Sequence, residues 1–259
     1  MTKLNFLMCV IVYCAAIFSA SAQKLPNVQK EPVRAPTNVK IDGKATEWGR
    51  LQAYNYVTQI SYTLANDNEN LYLIVKADNP QMIQKTMMTG VNLTINRTTN
   101  KKDKDGVSIT FPLMNREPYQ RILRIALARF SMSNYLEKHP ITDTALKARK
   151  LDSVMRRSND QIAANAKFMA VTGLKDVEDT ISVYNNLGIK AKARFDSKMA
   201  LTYEIAIPLK YLGLSGKFAY HIVLNGADDK YVFTGYPNLP MNQDIVGTTG
   251  FWGEYTLAK

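Results

Sequence analysis

The chain is 259 residues long, 46% hydrophobic and 21% charged, with 33 Lys and Arg against 22 Asp and Glu. That composition suits a chain that buries a core and excludes wholesale disorder, while the formal charge of +11 raises the question of where the cations gather. Both cysteines, Cys9 and Cys14, precede Ala22, so beyond that point the sequence offers no disulfide, no thiolate nucleophile and no Cys-ligated zinc.

Residues 1–22 read as a signal peptide: Lys3, an apolar run from Leu4 to Phe18, then the small-residue cleavage site Ala20-Ser21-Ala22. Export to the periplasm or secretion is therefore expected. Tyr13 stands where lipidation at Cys14 would need a small residue. No later stretch has the roughly 18 uninterrupted apolar residues of a membrane span. Residues 23–38, with Pro26, Pro32 and Pro36, read as a leader, because proline fixes its own φ and biases its predecessor toward extended backbone. The domain is expected over 39–259.

Alternation then predicts strands. Val57–Leu64 and Leu71–Lys76 alternate around the polar turn Ala65–Asn70, as in a β-hairpin, and Val91–Ile95 and Val107–Phe111 follow the same period. From about 114 to 176 the period changes. Ile122, Ile125, Ala126 and Phe130, then Leu146, Leu151, Val154 and Met155, recur at three- and four-residue spacing, which predicts helices. Between Arg116 and Asp160 stand ten Lys or Arg against five acids. Strands return at Ser182–Asn186, Ile189–Phe195, Met199–Ile207, Phe218–Leu224 and Phe251–Leu257. About eight to ten strands with one helical excursion predict a mainly β fold, an antiparallel β-sandwich with a helical insertion.

Four ordered motifs carry a family resemblance. Ile41-Asp42-Gly43 with Glu47-Trp48, the acidic turn Asn66–Asn70 before Leu71-Tyr72-Leu73, Gly106–Pro112, and Tyr203-Glu204-Ile205-Ala206-Ile207-Pro208 with Leu212-Gly213-Leu214 resemble the family-nine-like carbohydrate-binding modules of the DOMON-like superfamily, in the form seen in exported Bacteroidota proteins. The resemblance covers about 39–112 and 199–257. It implies a jelly-roll-like sandwich, sugar binding between aromatic side chains and, in some members, a structural calcium.

The chemistry of sugar recognition narrows the candidates. A pyranose presents C–H groups to an indole face, and its hydroxyls require polar partners nearby. Trp48 lies in the opening motif and reads as a packing residue. Trp252 starts the closing strand beside the Gly- and Pro-rich segment 235–250 and, with Tyr236, is the platform candidate; Asn242 and Asp228 are the hydrogen-bonding candidates in the adjoining loops. Burial of Trp252 and plain turn roles for the loop residues are the competing readings.

Other chemistries are set aside. Glu204 falls on the face opposite the apolar row of its strand and reads as a solvated residue; no carboxylate pair or Ser-His-Asp set is spaced for hydrolysis, so no enzyme is expected. His139 and His221 are too few to argue for haem. No cofactor is expected, although Asp67, Asn68 and Glu69, or Asp103 and Asp105, are the oxygen donors calcium takes. The expected function is non-catalytic binding of a saccharide or glycan at an aromatic-bearing loop end. The alternative is a structural or interaction protein of the envelope that uses the basic helices (Arg121, Arg124, Arg129, Lys147, Arg149, Lys150, Arg156, Arg157) as its contact surface. Export argues against nucleic acid as a partner.

Overall fold

The alternating runs pair into two sheets. The computed structural model describes residues 24–103, 105–113, 142–226 and 243–259; the proposed signal peptide, the first part of the helical insertion with Arg121, Arg124, Arg129 and His139, and the loop holding Asp228, Tyr236 and Asn242 lie outside them. Among the described residues eleven strands are antiparallel throughout. The smaller sheet runs β1 (Ala53–Asn55), β2 (Ile60–Asn66), β3 (Asn70–Ala77), β9 (Leu201–Pro208), β8 (Lys190–Phe195). The larger runs β11 (Thr249–Tyr255), β10 (Phe218–Leu224), β4 (Val91–Ile95), β5 (Val107–Leu113), β6 (Phe168–Thr172), β7 (Thr180–Ser182). The fold is the expected antiparallel β-sandwich with a helix between strands.

One apolar row per strand points into the sandwich. Tyr62 and Leu64, Leu73 and Val75, and Tyr203 and Ile205 of the smaller sheet share a core with Leu93, Ile109, Tyr220 and Ile222 of the larger, all essentially inaccessible to water. Each such side chain contributes about 1.5–3 kcal/mol by leaving water. A second, smaller apolar cluster lies on the outside of the smaller sheet, where Trp48 and Leu51 cover Tyr72, Ile74 and Ala206. This explains why β3 is apolar on both faces over Leu71–Val75, a pattern a half-exposed strand would not show.

The expected leader is docked on the sandwich. β1 is too short to pair with the end of β2, and residues 26–35 take its place. The Gln29 side chain, 5% exposed, bonds both the N–H and the C=O of Leu64 at 2.8 Å, as a neighbouring strand would. The Val33 carbonyl accepts from Asn66 N–H, and Ala35 N–H donates to the Asn66 carbonyl. The same segment reaches the other sheet, for Val33 N–H donates to Tyr255 Oη. Prolines at 26, 32 and 36 suit a segment at a sheet edge, the place in a sheet where a missing N–H is tolerated.

Two further features differ from expectation. Residues Val183–Asn186, expected within a strand, are instead part of a link, Val183–Ile189, that carries the chain from β7 at the edge of one sheet to β8 at the edge of the other. A helix, α1 (Pro80–Thr89), was not anticipated, although Asn79 caps it by accepting from Gln81 N–H, Pro80 opens it and Gly90 ends it.

The insertion contains α2 (Thr144–Asn165), capped by Asp143, and ends at β6, earlier than the expected boundary near 176. Only the C-terminal half of α2 docks. Ser158 and Ile162 are buried, and the Asn159 amide bonds both backbone groups of Phe195 on the β8 edge, at 2.8 and 3.1 Å. Lys147, Arg149, Arg156 and Arg157 are exposed, with Arg156 paired to Asp152 one turn away. A short α3 (Gln243–Val246) precedes β11. No helix among the described residues is long and apolar enough to cross a membrane.

Candidate functional site

Trp252 sits on β11 between the inward residues Phe251 and Gly253, so its indole points away from the core. Cross-strand pairing places it opposite His221 of β10. The two rings stack, centroids 4.3 Å apart and planes 1° from parallel. Stacking fixes the indole in one orientation and covers one of its faces with imidazole, which leaves the edge and the far face to line a groove. The groove has a volume of about 500 Å³ and is walled by Pro26–Lys30, Lys101 and Trp252–Glu254.

The floor beneath this pair is rigid. Gly253 packs on the ring of Tyr220; a Cβ there would lie 2.2 Å from the phenol carbon bearing the hydroxyl. Tyr220 Oη shares a 2.8 Å hydrogen bond with Tyr62 Oη, which accepts in turn from Gln29 N–H at 2.9 Å. Burial raises the pKa of both phenols, so both stay protonated and the hydroxyl–hydroxyl bond persists.

Partial burial lowers the pKa of His221 below its ordinary 6.5, so the imidazole is neutral at pH 7. The folded pKa is depressed, the neutral form is favoured, and its contribution to stability is full above pH 6.5 and lost as pH falls through the folded value. Trp252 fluorescence is therefore expected to change on acidification with a midpoint below 6.5, and His221→Phe to abolish that transition. A midpoint above 6.5 in the wild type would contradict the direction.

Beside the stacked pair, the outer face of the larger sheet is polar and uncharged. Asn92 and Thr94 of β4 lie opposite Thr110 and Ser108 of β5. Asn92 Nδ2 donates to Ser108 Oγ at 2.7 Å and to Thr110 Oγ1 at 2.9 Å, and Thr94 Oγ1 donates to Asn92 Oδ1 at 3.0 Å. None of these residues is among the sugar contacts expected from the sequence. The available signal was the composition of Val91–Ile95 and Val107–Phe111, where every outward position is an amide or hydroxyl in a chain otherwise rich in Lys and Arg.

Trp48 belongs elsewhere. It is 9% exposed, tilts against Tyr72 at a centroid distance of 5.5 Å, and lies outside the smaller sheet, across the sandwich from Trp252. The two indoles cannot hold one ligand between them. Of the other predicted contacts, Tyr236, Asn242 and Asp228 lie outside the described residues.

Glu204 corrects the expectation of a solvated strand residue, being wholly inaccessible to water. Oε2 accepts from Asp42 N–H at 3.0 Å and Gly43 N–H at 2.7 Å; Oε1 accepts from Ala45 N–H at 3.3 Å and Trp48 Nε1–H at 3.1 Å. The opening motif and the late Glu-containing strand are thus one structure, a loop clamped on a buried carboxylate. Gly43 is required there: its φ is +81°, and a Cβ would lie 2.6 Å from Arg194 Cβ. Burial pushes the Glu204 carboxyl up to about 6, helped by Glu47 and Asp42 and opposed by the donors from Gly43 and Trp48.

The turn considered for calcium has committed oxygens. Asp67 Oδ1 accepts from Glu69 and Asn70 N–H, both at 2.7 Å, and Oδ2 from Tyr72 Oη at 2.6 Å. Burial raises the Asp67 pKa, but these bonds and Arg34 outweigh it and hold the carboxyl below its ordinary range. Among the described residues no group of three or more His, Cys, Asp or Glu is arranged to hold a metal ion.

The fold and site together define an antiparallel β-sandwich that presents a fixed, half-exposed indole on the outer face of its larger sheet. The chain is similar to a solved family 9 carbohydrate-binding module from Caldicellulosiruptor kristjanssonii, determined in complex with glucose, at 11% identity and a TM-score of 0.38, with 88% of this chain and 95% of the other covered. No family model and no curated protein matches it. The architecture rests on the strand pairing above rather than on that likeness.

Proposed function

We propose that this protein is an exported, non-catalytic binding protein for a saccharide or glycan, with Trp252 as the stacking contact. The observation that carries the reading is the indole immobilised by His221 at the lip of a groove, beside a sheet face of amide and hydroxyl groups. A ring held in place before binding loses little conformational freedom when a sugar stacks on it. Tyr236, Asn242 and Asp228 are proposed as further contacts from the adjoining loop. The absence of catalysis fits the role of Glu204, whose oxygens are taken up by the Asp42–Trp48 loop, and of Glu254, which pairs with Lys217.

The test is intrinsic fluorescence of the protein titrated with a panel of glycans, with and without calcium. Trp252→Ala is expected to weaken binding at least tenfold while leaving the melting temperature within a few degrees, because the indole contributes to the surface rather than the core. Unchanged affinity in that variant would remove the reading.

A second reading, interaction with an envelope protein, is favoured by the N-terminal half of α2, where Lys147 and Arg149 are exposed. Charge reversal at Lys147, Arg149, Arg156 and Arg157 would abolish partner capture under it and leave glycan binding untouched.

A further inference from the structure

The register of the larger sheet places exposed aromatic surface at both ends of one neutral face. Trp252 and His221 occupy its β11 side. Phe168, outward on β6 and 40% exposed, occupies the other, and Tyr184, 80% exposed, follows Ser182, which pairs with Phe168. Between them stand the Asn92, Thr94, Ser108 and Thr110 side chains, linked by hydrogen bonds. Following the pairing from β11 through β10, β4 and β5 to β6 crosses four strand intervals, about 19 Å, and the register steps about 13 Å along the strands, so Trp252 and Phe168 lie about 23 Å apart. That is more than one sugar ring spans.

Charge selects the kind of occupant. Among the described residues of these six strands, Glu254 is the one ionised outward side chain, and it is paired with Lys217 at the corner of the sheet. The opposite sheet directs Lys76, Lys190, Lys192 and Arg194 outward. In a chain of formal charge +11, the described strand positions between Trp252 and Phe168 carry no cation, and Lys30 and Lys101 stand only at the groove beside Trp252; a neutral face of this extent complements an uncharged ligand. Amide and hydroxyl groups that already hydrogen-bond one another keep spare lone pairs and protons for ligand hydroxyls, and they do so in fixed positions.

We propose that the outer face of the six-stranded sheet binds an uncharged, extended oligosaccharide of several residues, running from Trp252 across Asn92 and Thr110 to Phe168. This rests on the saccharide-binding reading and adds length and charge to it. Affinity then comes from both aromatic ends, with the polar centre setting orientation.

The experiment is calorimetric titration of the full protein with neutral oligosaccharides of graded length, from monosaccharide to hexasaccharide, in several linkage series, together with uronic-acid oligomers of the same lengths. Affinity is expected to rise roughly tenfold or more between the disaccharide and the hexasaccharide, and Phe168→Ala to remove most of that gain while leaving short-ligand affinity unchanged. Thermal melting of Phe168→Ala, expected to match the wild type, separates lost contact from lost fold; a variant that melts early is replaced by Tyr184→Ala, for which the same selective loss is expected. Equal affinity for monosaccharide and hexasaccharide, with binding still abolished by Trp252→Ala, would overturn the extended platform and leave a single-sugar site. Preference for the uronic-acid series would overturn the neutral occupant. No saturable binding to any member would overturn both this inference and the saccharide reading.

Discussion

Glu204→Ala is expected to destabilise the protein by about 4 kcal/mol, the largest effect of any single substitution considered. Alanine would strand four donors, the N–H groups of Asp42, Gly43 and Ala45 and the indole N–H of Trp48. An unpaired buried donor costs about 1–3 kcal/mol, and those at Asp42 and Ala45 recover part of that from water. Glu204→Gln is expected to cost about 3 kcal/mol, because each carboxyl oxygen receives two N–H groups and an amide nitrogen, unlike a carboxylate or carboxylic-acid oxygen, accepts none. Urea unfolding monitored by fluorescence reads both effects. A Glu204→Gln variant as stable as wild type would mean that the clamp does not depend on two acceptor oxygens.

The same residue gives the protein a pH signature. Its folded pKa of about 6 lies above the ordinary 4.5, so its contribution is full below pH 4.5 and falls as pH rises through 6. The loss is at most about 2 kcal/mol. Glu204→Ala should lack this component, so the difference in stability between wild type and variant narrows as pH rises from 4.5 to 7. A gap that widens over that interval would reverse the assigned direction.

Removal of residues 24–38 is the second large effect. A chain starting at residue 39 exposes the backbone of Leu64 and Asn66 and the N–H of Tyr54, all now bonded to residues 26–35, and uncovers Tyr62. The result is an open strand edge beside an apolar core, which favours pairing with another copy. Aggregation, or a melting temperature lower by more than 10 °C, is expected, consistent with a loss of several kcal/mol. Gln29→Ala isolates one part of this and should cost about 2 kcal/mol, with Leu64 N–H and C=O left unpaired. Groove walls Pro26–Lys30 vanish in the truncated chain as well, so any soluble fraction should bind glycan weakly. A truncated chain that melts like the full one would show that the segment is a leader after all.

Strand positions were largely legible in the sequence because burial of one face imposes a period of two. Val91–Ile95 was bounded correctly, and Phe218–Leu224 became β10 with the expected inward row. Helix α1 was missed because it is short, its apolar residues Met82, Ile83, Met87 and Met88 fall in two adjacent pairs, and the signals of Asn79, Pro80 and Gly90 are local. Glu204 was misjudged for a related reason. Alternation correctly put it on the face away from the main core, yet a position off the core is solvated only if nothing covers that face, and here the loop carrying Trp48 does.

By itself, then, the amino-acid order determined β2 to β5 and β8 to β11, which of their residues point to the core and that one indole would sit on the closing strand, because these follow from side-chain period along a single segment; the short edge strands β1, β6 and β7 were not placed by it. The tertiary structure alone decided which outward faces stay open. Gly43 meets Glu204 across 161 residues, and Gln29 meets Leu64 across 35. Trp252 meets His221 only because β10 and β11 pair in one register. A shift of β11 by one residue would turn the indole inward and leave His221 outward, and that register is fixed by Phe251 and Tyr255 packing in the core with Phe218, Tyr220 and Ile222.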